Sequence, residues 1–146
     1  MQVTGSERRC LAVVLAAGEG TRMKSSRPKV LHHIAGRSML AHVLAGVKEA
    51  GITDVAVVVG PDRPDVEGEV RAQAPNASIF VQRERLGTAH AVLAARDALA
   101  QGYHEVIVLF ADTPLLETQT LIAMRRRLEA GNAVVALGFE AADPTG

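Results

Sequence analysis

Short apolar runs and amphipathic segments alternate along this chain. The runs are "CLAVVLAA" (10–17), "VAVVVG" (55–60), "SIFVQ" (78–82), "EVIVLFAD" (105–112) and "NAVVALGF" (132–139). They are rich in Val and Ile and continuous rather than alternating, which predicts parallel strands covered on both faces. Between them, "SMLAHVLAGVKEAG" (38–51), "PDVEGEVRAQA" (64–74), "GTAHAVLAARDALAQG" (87–102) and "LETQTLIAMRRRLEAG" (116–131) read as helices. Met39, Leu40, Val43, Leu44 and Val47 fall at helical spacing, as do Leu121, Met124 and Leu128. Gly51, Gly102 and Gly131 stand where C-terminal helix caps are expected. The order β-α-β-α-β-α-β-α-β predicts an α/β fold, an open, doubly wound, mainly parallel sheet of Rossmann-like architecture with right-handed crossovers. The fifth run would close one side of it as an apolar edge open to association.

Composition narrows the class. At 146 residues the chain has the size of one domain, large enough to bury roughly two-thirds of its unfolded surface. The pattern divides it into a flexible polar tail, 1–7, and a single unit, 8–146, with no repeat or linker inside. Aromatic residues make up 3% of it, so the core must come from Val, Leu, Ile and Ala. Sixteen basic and sixteen acidic residues cancel, so no bulk field draws the protein to nucleic acid or to a membrane. Cys10 has no partner cysteine and sits among apolar neighbours, as a buried inert thiol does. Arg8-Arg9 before the apolar run imitates a secretion signal, but the run is short and fits a buried strand. No segment approaches the ~20 apolar residues of a membrane span. A cytoplasmic protein is expected.

Ligands of doubly wound sheets bind beyond the carboxyl ends of the strands, near the point where strand order reverses. Three groups of polar residues follow strands here. After the first comes "LAAGEGTRMKSSRPKVL" (15–31), whose loop from about Ala17 to Pro28 is much longer than the ~2–6 residues usual between strand and helix. Gly18 and Gly20 remove side chains where a backbone could approach phosphate, Arg22 and Lys29 supply positive charge, and Pro28 stiffens the approach to Lys29. The loop fits neither the dinucleotide fingerprint, since Met23 stands where its third Gly or Ala belongs, nor the P-loop, since no Gly-Lys-Ser/Thr occurs. After the third strand come Gln82, able to donate and accept toward a base edge, and Gly87-Thr88 opening a helix. After the fourth comes Asp112, a carboxylate that can hold Mg²⁺ against a triphosphate or serve as an ordinary turn residue. Adjacent His32 and His33 are not spaced as a ligand pair on one helix face and read as structural, and His90 as packing against the site. Arg125, Arg126 and Arg127 read as a solvated helix face, and the sequon-like Asn76-Ala77-Ser78 carries no function in a cytosolic protein.

These residues carry a resemblance. The first loop resembles the signature of sugar-phosphate nucleotidylyltransferases, and "QRERLGTAHAV" with "FADTPLL" resembles the bacterial bifunctional N-acetylglucosamine-1-phosphate uridylyltransferase/glucosamine-1-phosphate acetyltransferase family. The resemblance covers nearly the whole chain from about Cys10. It implies that Leu15, Ala16, Ala17 and Gly18 line the uridine nucleotide and that Gln82, Gly87 and Thr88 recognise uracil. It implies further that Arg22 and Lys29 hold phosphates and act in catalysis, and that Asp112 is a Mg²⁺ ligand. Gly20, Phe110 and Ala111 belong to the same nucleotide-binding set. Where that family often has Tyr-Gly before the aspartate, this chain has Phe110-Ala111, which bears on the sugar contacts made there.

The reaction implied is uridylyl transfer from UTP to N-acetylglucosamine 1-phosphate, giving UDP-N-acetylglucosamine and pyrophosphate for peptidoglycan and lipopolysaccharide precursors. Mg²⁺ is the implied cofactor, and nucleic acid and membrane are not implied partners. The family continues beyond the equivalent of Gly146 with the rest of the transferase domain, including a second metal ligand, and a β-helical acetyltransferase domain through which it forms homotrimers. The chain is therefore expected to be the nucleotide-binding portion of a larger protein. Two alternatives stay open: a nucleotidylyltransferase using another base or acceptor, and a nucleotide-binding module without catalysis.

Overall fold

The computed structural model describes residues 8–18 and 25–141. The expected tail, 1–7, and the glycine and arginine expected to act at positions 20 and 22 lie outside the described residues. A four-stranded parallel sheet is built from β1 (Cys10–Ala16), β4 (Asp54–Val59), β5 (Ser78–Val81) and β6 (Glu105–Phe110). Its order is β5-β4-β1-β6. The chain moves outward from β1 through β4 to β5, then returns to place β6 on the opposite side of β1. The reversal of strand order, and with it the expected ligand crevice, therefore falls between β1 and β6.

Helices α1 (Met39–Glu49), α2 (Pro64–Gln73) and α5 (Thr118–Glu129) cover one face of the sheet. Cys10, Ala12, Val14 and Ala16 of β1 point into that layer with Val57, Val59, Ile107 and Leu109. The alternate residues Leu11, Val13 and Leu15 point the other way with Ala56 and Val58. There they meet Ala91 of α3 (Thr88–Ala94) and Ala98 of α4 (Arg96–Leu99). Period-two alternation thus feeds two cores at once, so β1 and β4 read as continuous apolar runs.

The helix ends follow from local chemistry. The Ser38 hydroxyl accepts from Ala41 N at 3.0 Å, capping α1, and donates to Glu69 of α2 at 2.6 Å, tying the two helices together. At the other end Gly51 N donates to Lys48 O and Ile52 N to Val47 O, with Gly51 at φ +74°. This is the paired-bond stop that glycine's left-handed freedom allows. Gly131 and Asn132 repeat it after α5, donating to Leu128 O and Arg127 O.

Four expectations need correction. The run 132–139 forms no strand: Val134 and Phe139 are 82% and 90% exposed. Exposed along nearly its whole length apart from half-buried Val135, that run would bury too little along the β6 edge to repay ordering it. Cover on both faces fails at the two edge strands: Val81 of β5 is exposed, and so are Val106, Val108 and Phe110 of β6, because the layer of α3 and α4 lies over β1, β4 and Phe80 and not over β6. The helix expected over 87–102 is two short ones, broken at Ala95 (φ −91°, ψ 20°), whose side chain is fully buried. Arg125 is not a solvated residue: it pairs with buried Glu105 at 3.2 Å, while Arg126 and Arg127 remain exposed. Absent from the expectations altogether are a 3-10 turn at Lys29–Leu31 and a hairpin of β2 (His33–Ile34) with β3 (Arg37–Ser38).

Candidate functional site

The carboxyl end of the sheet gathers the polar loops. Beyond β6, Thr113 N and its hydroxyl both donate to Phe110 O, turning the chain sharply and leaving Asp112 at the mouth of the crevice. Across it, Pro28 and Val30 are buried on either side of Lys29. Anchored by these neighbours, Lys29 reaches over and its Nζ donates to Asp112 Oδ2 at 2.8 Å. Eighty-three residues separate the two; the fold alone brings this predicted cation and predicted carboxylate together. Both side chains keep more than a third of their surface exposed, so water or a ligand can compete for either.

Other predicted residues divide according to what they can offer. Leu15, Ala16 and Ala111 have their side chains in the cores, and Leu15 O already accepts from Ala111 N at 3.0 Å. Any ligand contact at these positions runs through backbone or through the surface of the crevice wall. Ala17 is partly exposed and Gly18 exposed, and among the described residues nothing lies within 4 Å of where a Gly18 Cβ would sit. Phe110 is exposed on the open face of β6.

At the far side, beyond β5, Gln82 is buried, and its Nε2 lies 3.4 Å from Gly87 O and 3.2 Å from His90 Nδ1. Gly87 caps α3 at φ 100°, ψ −179°, a backbone region that is essentially glycine's alone. Thr88 is exposed beside it. A cleft of about 460 Å³ opens here, lined by Gln82, His90, Leu93, Arg96 and their neighbours. From Gln82 beyond β5 to Asp112 beyond β6 is three inter-strand spacings, about 14 Å. The arrangement therefore offers a hydrogen-bonding end and a charged end, separated by the length of an extended ligand.

Sequence reasoning missed a second charged cluster at the amino end of the sheet. Glu105 is buried there between Arg8 and Arg125, at 2.9 and 3.2 Å. Arg9 pairs with Asp54 at 3.4 Å and stacks its guanidinium 4.4 Å from the Tyr103 ring centre. The one available signal was a charged residue opening an otherwise apolar strand. Burial pushes the neighbouring Cys10 thiol up to about 11, in keeping with the inert cysteine expected. The Nε2 of His32 is buried without a hydrogen-bond partner among the described residues. Among the described residues there is no group of three or more His, Cys, Asp and Glu placed to hold a metal, and no helix long and apolar enough to cross a membrane.

An open parallel sheet whose strand order reverses beside a paired lysine and carboxylate is an α/β fold of the Rossmann-like kind. The family model described as the MobA-like NTP transferase domain matches residues 12–144, and the chain belongs to that family. Over 141 residues it is 64% identical to the bifunctional protein GlmU of Xanthobacter autotrophicus, covering 97% of this chain and 32% of that protein. The chain thus spans about a third of the length of the curated relatives it matches. A solved CMP:2-keto-3-deoxy-manno-octonic acid synthetase complexed with CTP is similar at 25% identity and a TM-score of 0.66, over 86% of this chain and 49% of that one. A nucleotidyl transferase from Methanothermobacter shares the fold at 22% identity and a TM-score of 0.68, over 84% of this chain and 58% of that one. The nucleotidyltransferase class expected from the motifs is upheld.

Proposed function

We propose that this chain provides the nucleotide-binding part of an enzyme that transfers a uridylyl group from UTP to N-acetylglucosamine 1-phosphate, releasing pyrophosphate. The observation that carries the reading is the Lys29–Asp112 pair at the strand-order reversal; the 64% identity to a GlmU protein narrows the substrates. The acceptor is already an anion, so its phosphate oxygen can attack the α-phosphorus of UTP without a general base. The new bond is α-phosphorus to acceptor oxygen, and the bond to the bridging oxygen of pyrophosphate breaks. What the protein must supply is alignment and charge neutralisation.

Lys29 serves as the fixed cation on the phosphates, with Arg22 as a second cation assigned by resemblance. Gln82, Gly87 and Thr88 hold the base end. Asp112 fits a divalent cation: its carboxylate already accepts one cationic partner, and it stands partly open to solvent. A single protein carboxylate suits Mg²⁺, which keeps several waters and takes its remaining oxygens from substrate phosphates. When bound, the metal would lower the repulsion between triphosphate and acceptor. Sugar contacts, any further metal ligand and the trimeric assembly are proposed for the full-length relatives.

The test is UTP-dependent pyrophosphate release with N-acetylglucosamine 1-phosphate and Mg²⁺, run on this chain and on a version extended to the length of its relatives. Activity in the extended form supports the reading. Silence in both, with both folded and with UTP unbound, overturns it. Lys29→Met should slow turnover more than it weakens UTP binding; an equal loss in both contradicts the role given to that lysine.

A further inference from the structure

The contacts of Gln82 raise a question of chemistry. One atom of its terminal amide lies 3.4 Å from the Gly87 carbonyl oxygen and 3.2 Å from His90 Nδ1. A carbonyl oxygen can only accept, so the amide atom facing it has to be the nitrogen. With the nitrogen so placed, His90 Nδ1 accepts from it when the ring proton sits on Nε2. Together the two contacts favour one orientation of the glutamine over the other. Its NH₂ is turned toward the loop and helix, and among the described residues no donor meets its Oε1, which leaves that oxygen for a ligand.

We infer that His90 is a positioning residue that sets base specificity by holding Gln82 in its oxygen-out orientation. The inference rests on the reading that Gln82 faces the nucleotide base. Uracil and cytosine differ where such an oxygen would meet them: uracil N3 carries a hydrogen, whereas cytosine N3 carries a lone pair. An outward Oε1 accepts from the first and is repelled by the second. An amide free to turn over could present its NH₂ to cytosine and lose the distinction. His90 is suited to the task because it stands in α3 one turn beyond the Gly87 cap. Helix, cap and glutamine are thus locked as one unit, with the buried Gln82 between them.

Two measurements decide this. Affinities of the purified chain for UTP and CTP with Mg²⁺ are taken by calorimetry for the parent, His90→Ala and His90→Asn. Asn keeps an acceptor oxygen the same number of bonds from the backbone as Nδ1. The parent is expected to prefer UTP by about tenfold or more; His90→Ala should bring the two affinities within about threefold, and His90→Asn should restore the preference. Discrimination unchanged in His90→Ala overturns the inference, as does its loss in His90→Asn together with His90→Ala. The second measurement needs no variant: two-bond ¹H–¹⁵N correlations on the parent at about pH 8 read the tautomer directly. A proton on Nε2 supports the arrangement, and one on Nδ1 overturns it. If the parent binds neither nucleotide, or binds both equally, the assignment of Gln82 to the base fails, and this inference fails with it. A parent that prefers UTP while His90→Ala prefers it equally sinks the inference alone.

Discussion

Strand β6 begins with one carboxylate and is followed by another, and the two have opposite fates. Glu105 at its amino end has a side chain only 1% exposed, and each oxygen is taken by a different arginine. Asp112, just past its carboxyl end, has a side chain 36% exposed and one lysine on one oxygen. The chemistry of the pairs is similar, but the solvent around them is not. A buried carboxylate saturated by two guanidinium groups has nothing left for a ligand, and its pairing mainly avoids an uncompensated charge. An open carboxylate with a single point-charge partner adds little stability, yet it can exchange that partner for another cation. The same strand therefore carries a framework group at one end and a working group at the other.

The largest break of this contrast should come from Glu105→Gln. It leaves Arg8 and Arg125 facing a neutral amide in a site built for a carboxylate. Loss of one partner of a fully buried pair costs about 3–5 kcal/mol, and since Arg8 is 45% exposed and can return to water, about 2–3 kcal/mol is expected here. Urea unfolding measures it, and UTP affinity of the folded variant should not move. A loss below about 1 kcal/mol would show that the cluster does not hold the amino end together.

Next in size is Gly87→Ala, which asks whether the site end carries backbone cost that the framework end does not. Among the described residues no atom lies within 4 Å of the added methyl, so the effect expected is conformational. At φ 100°, ψ −179° that effect should be about 2 kcal/mol. The framework glycine Gly131, which forms the paired-bond stop of α5 at φ 97°, offers the control, with about 1 kcal/mol expected for Gly131→Ala. Equal losses at the two positions would remove the distinction. A smaller change, of opposite sign, is expected in the hairpin between Lys29 and α1. Ala35 sits at φ +49° ahead of Gly36 at φ +81°, the paired positive angles of a two-residue hairpin turn. Ala35→Asn should raise stability by about 0.5–1 kcal/mol, read as a shift in urea midpoint at constant slope.

The contrast within β6 also explains what the sequence could reveal. β1, β4 and α1 were legible because burial on two faces, or on one helical stripe with Ser38 before it and Gly51 after it, leaves a mark over many adjacent residues. Lys29 and Asp112 were legible as candidates because each follows an apolar strand, where ligands of such sheets gather. Their approach to 2.8 Å was not, since it depends on the packing of the turn around Val30. The cluster at Glu105 was hidden for the same reason: Arg125 lies twenty residues away, and the two arginines that follow it do face solvent. Two-residue strands such as β2 and β3 are too short to carry a period. The break at Ala95 interrupts a helical pattern that continues through it. In 132–139 the pattern recorded apolar character truly, but pairing needs cover as well as composition.

The smallest expected change in stability, and the sharpest use of the comparison, belongs to Asp112→Asn. The ion pair it removes is partly solvated at both ends, so its Coulomb gain is screened and offset by the order imposed on a long lysine side chain. Unfolding free energy should change by no more than about 0.5 kcal/mol. The two carboxylates of β6 would then differ severalfold in what they contribute to folding. Function should reverse that ranking: Asp112→Asn should lower Mg²⁺-dependent UTP affinity by about tenfold or more, where Glu105→Gln leaves it unchanged. If Asp112→Asn instead destabilises the fold as much as Glu105→Gln does, Lys29 and Asp112 form a structural clamp. If it leaves nucleotide binding and its metal dependence intact, the carboxylate has no part in holding a cation, and the charged end of the site reduces to Lys29 and the residues of its loop.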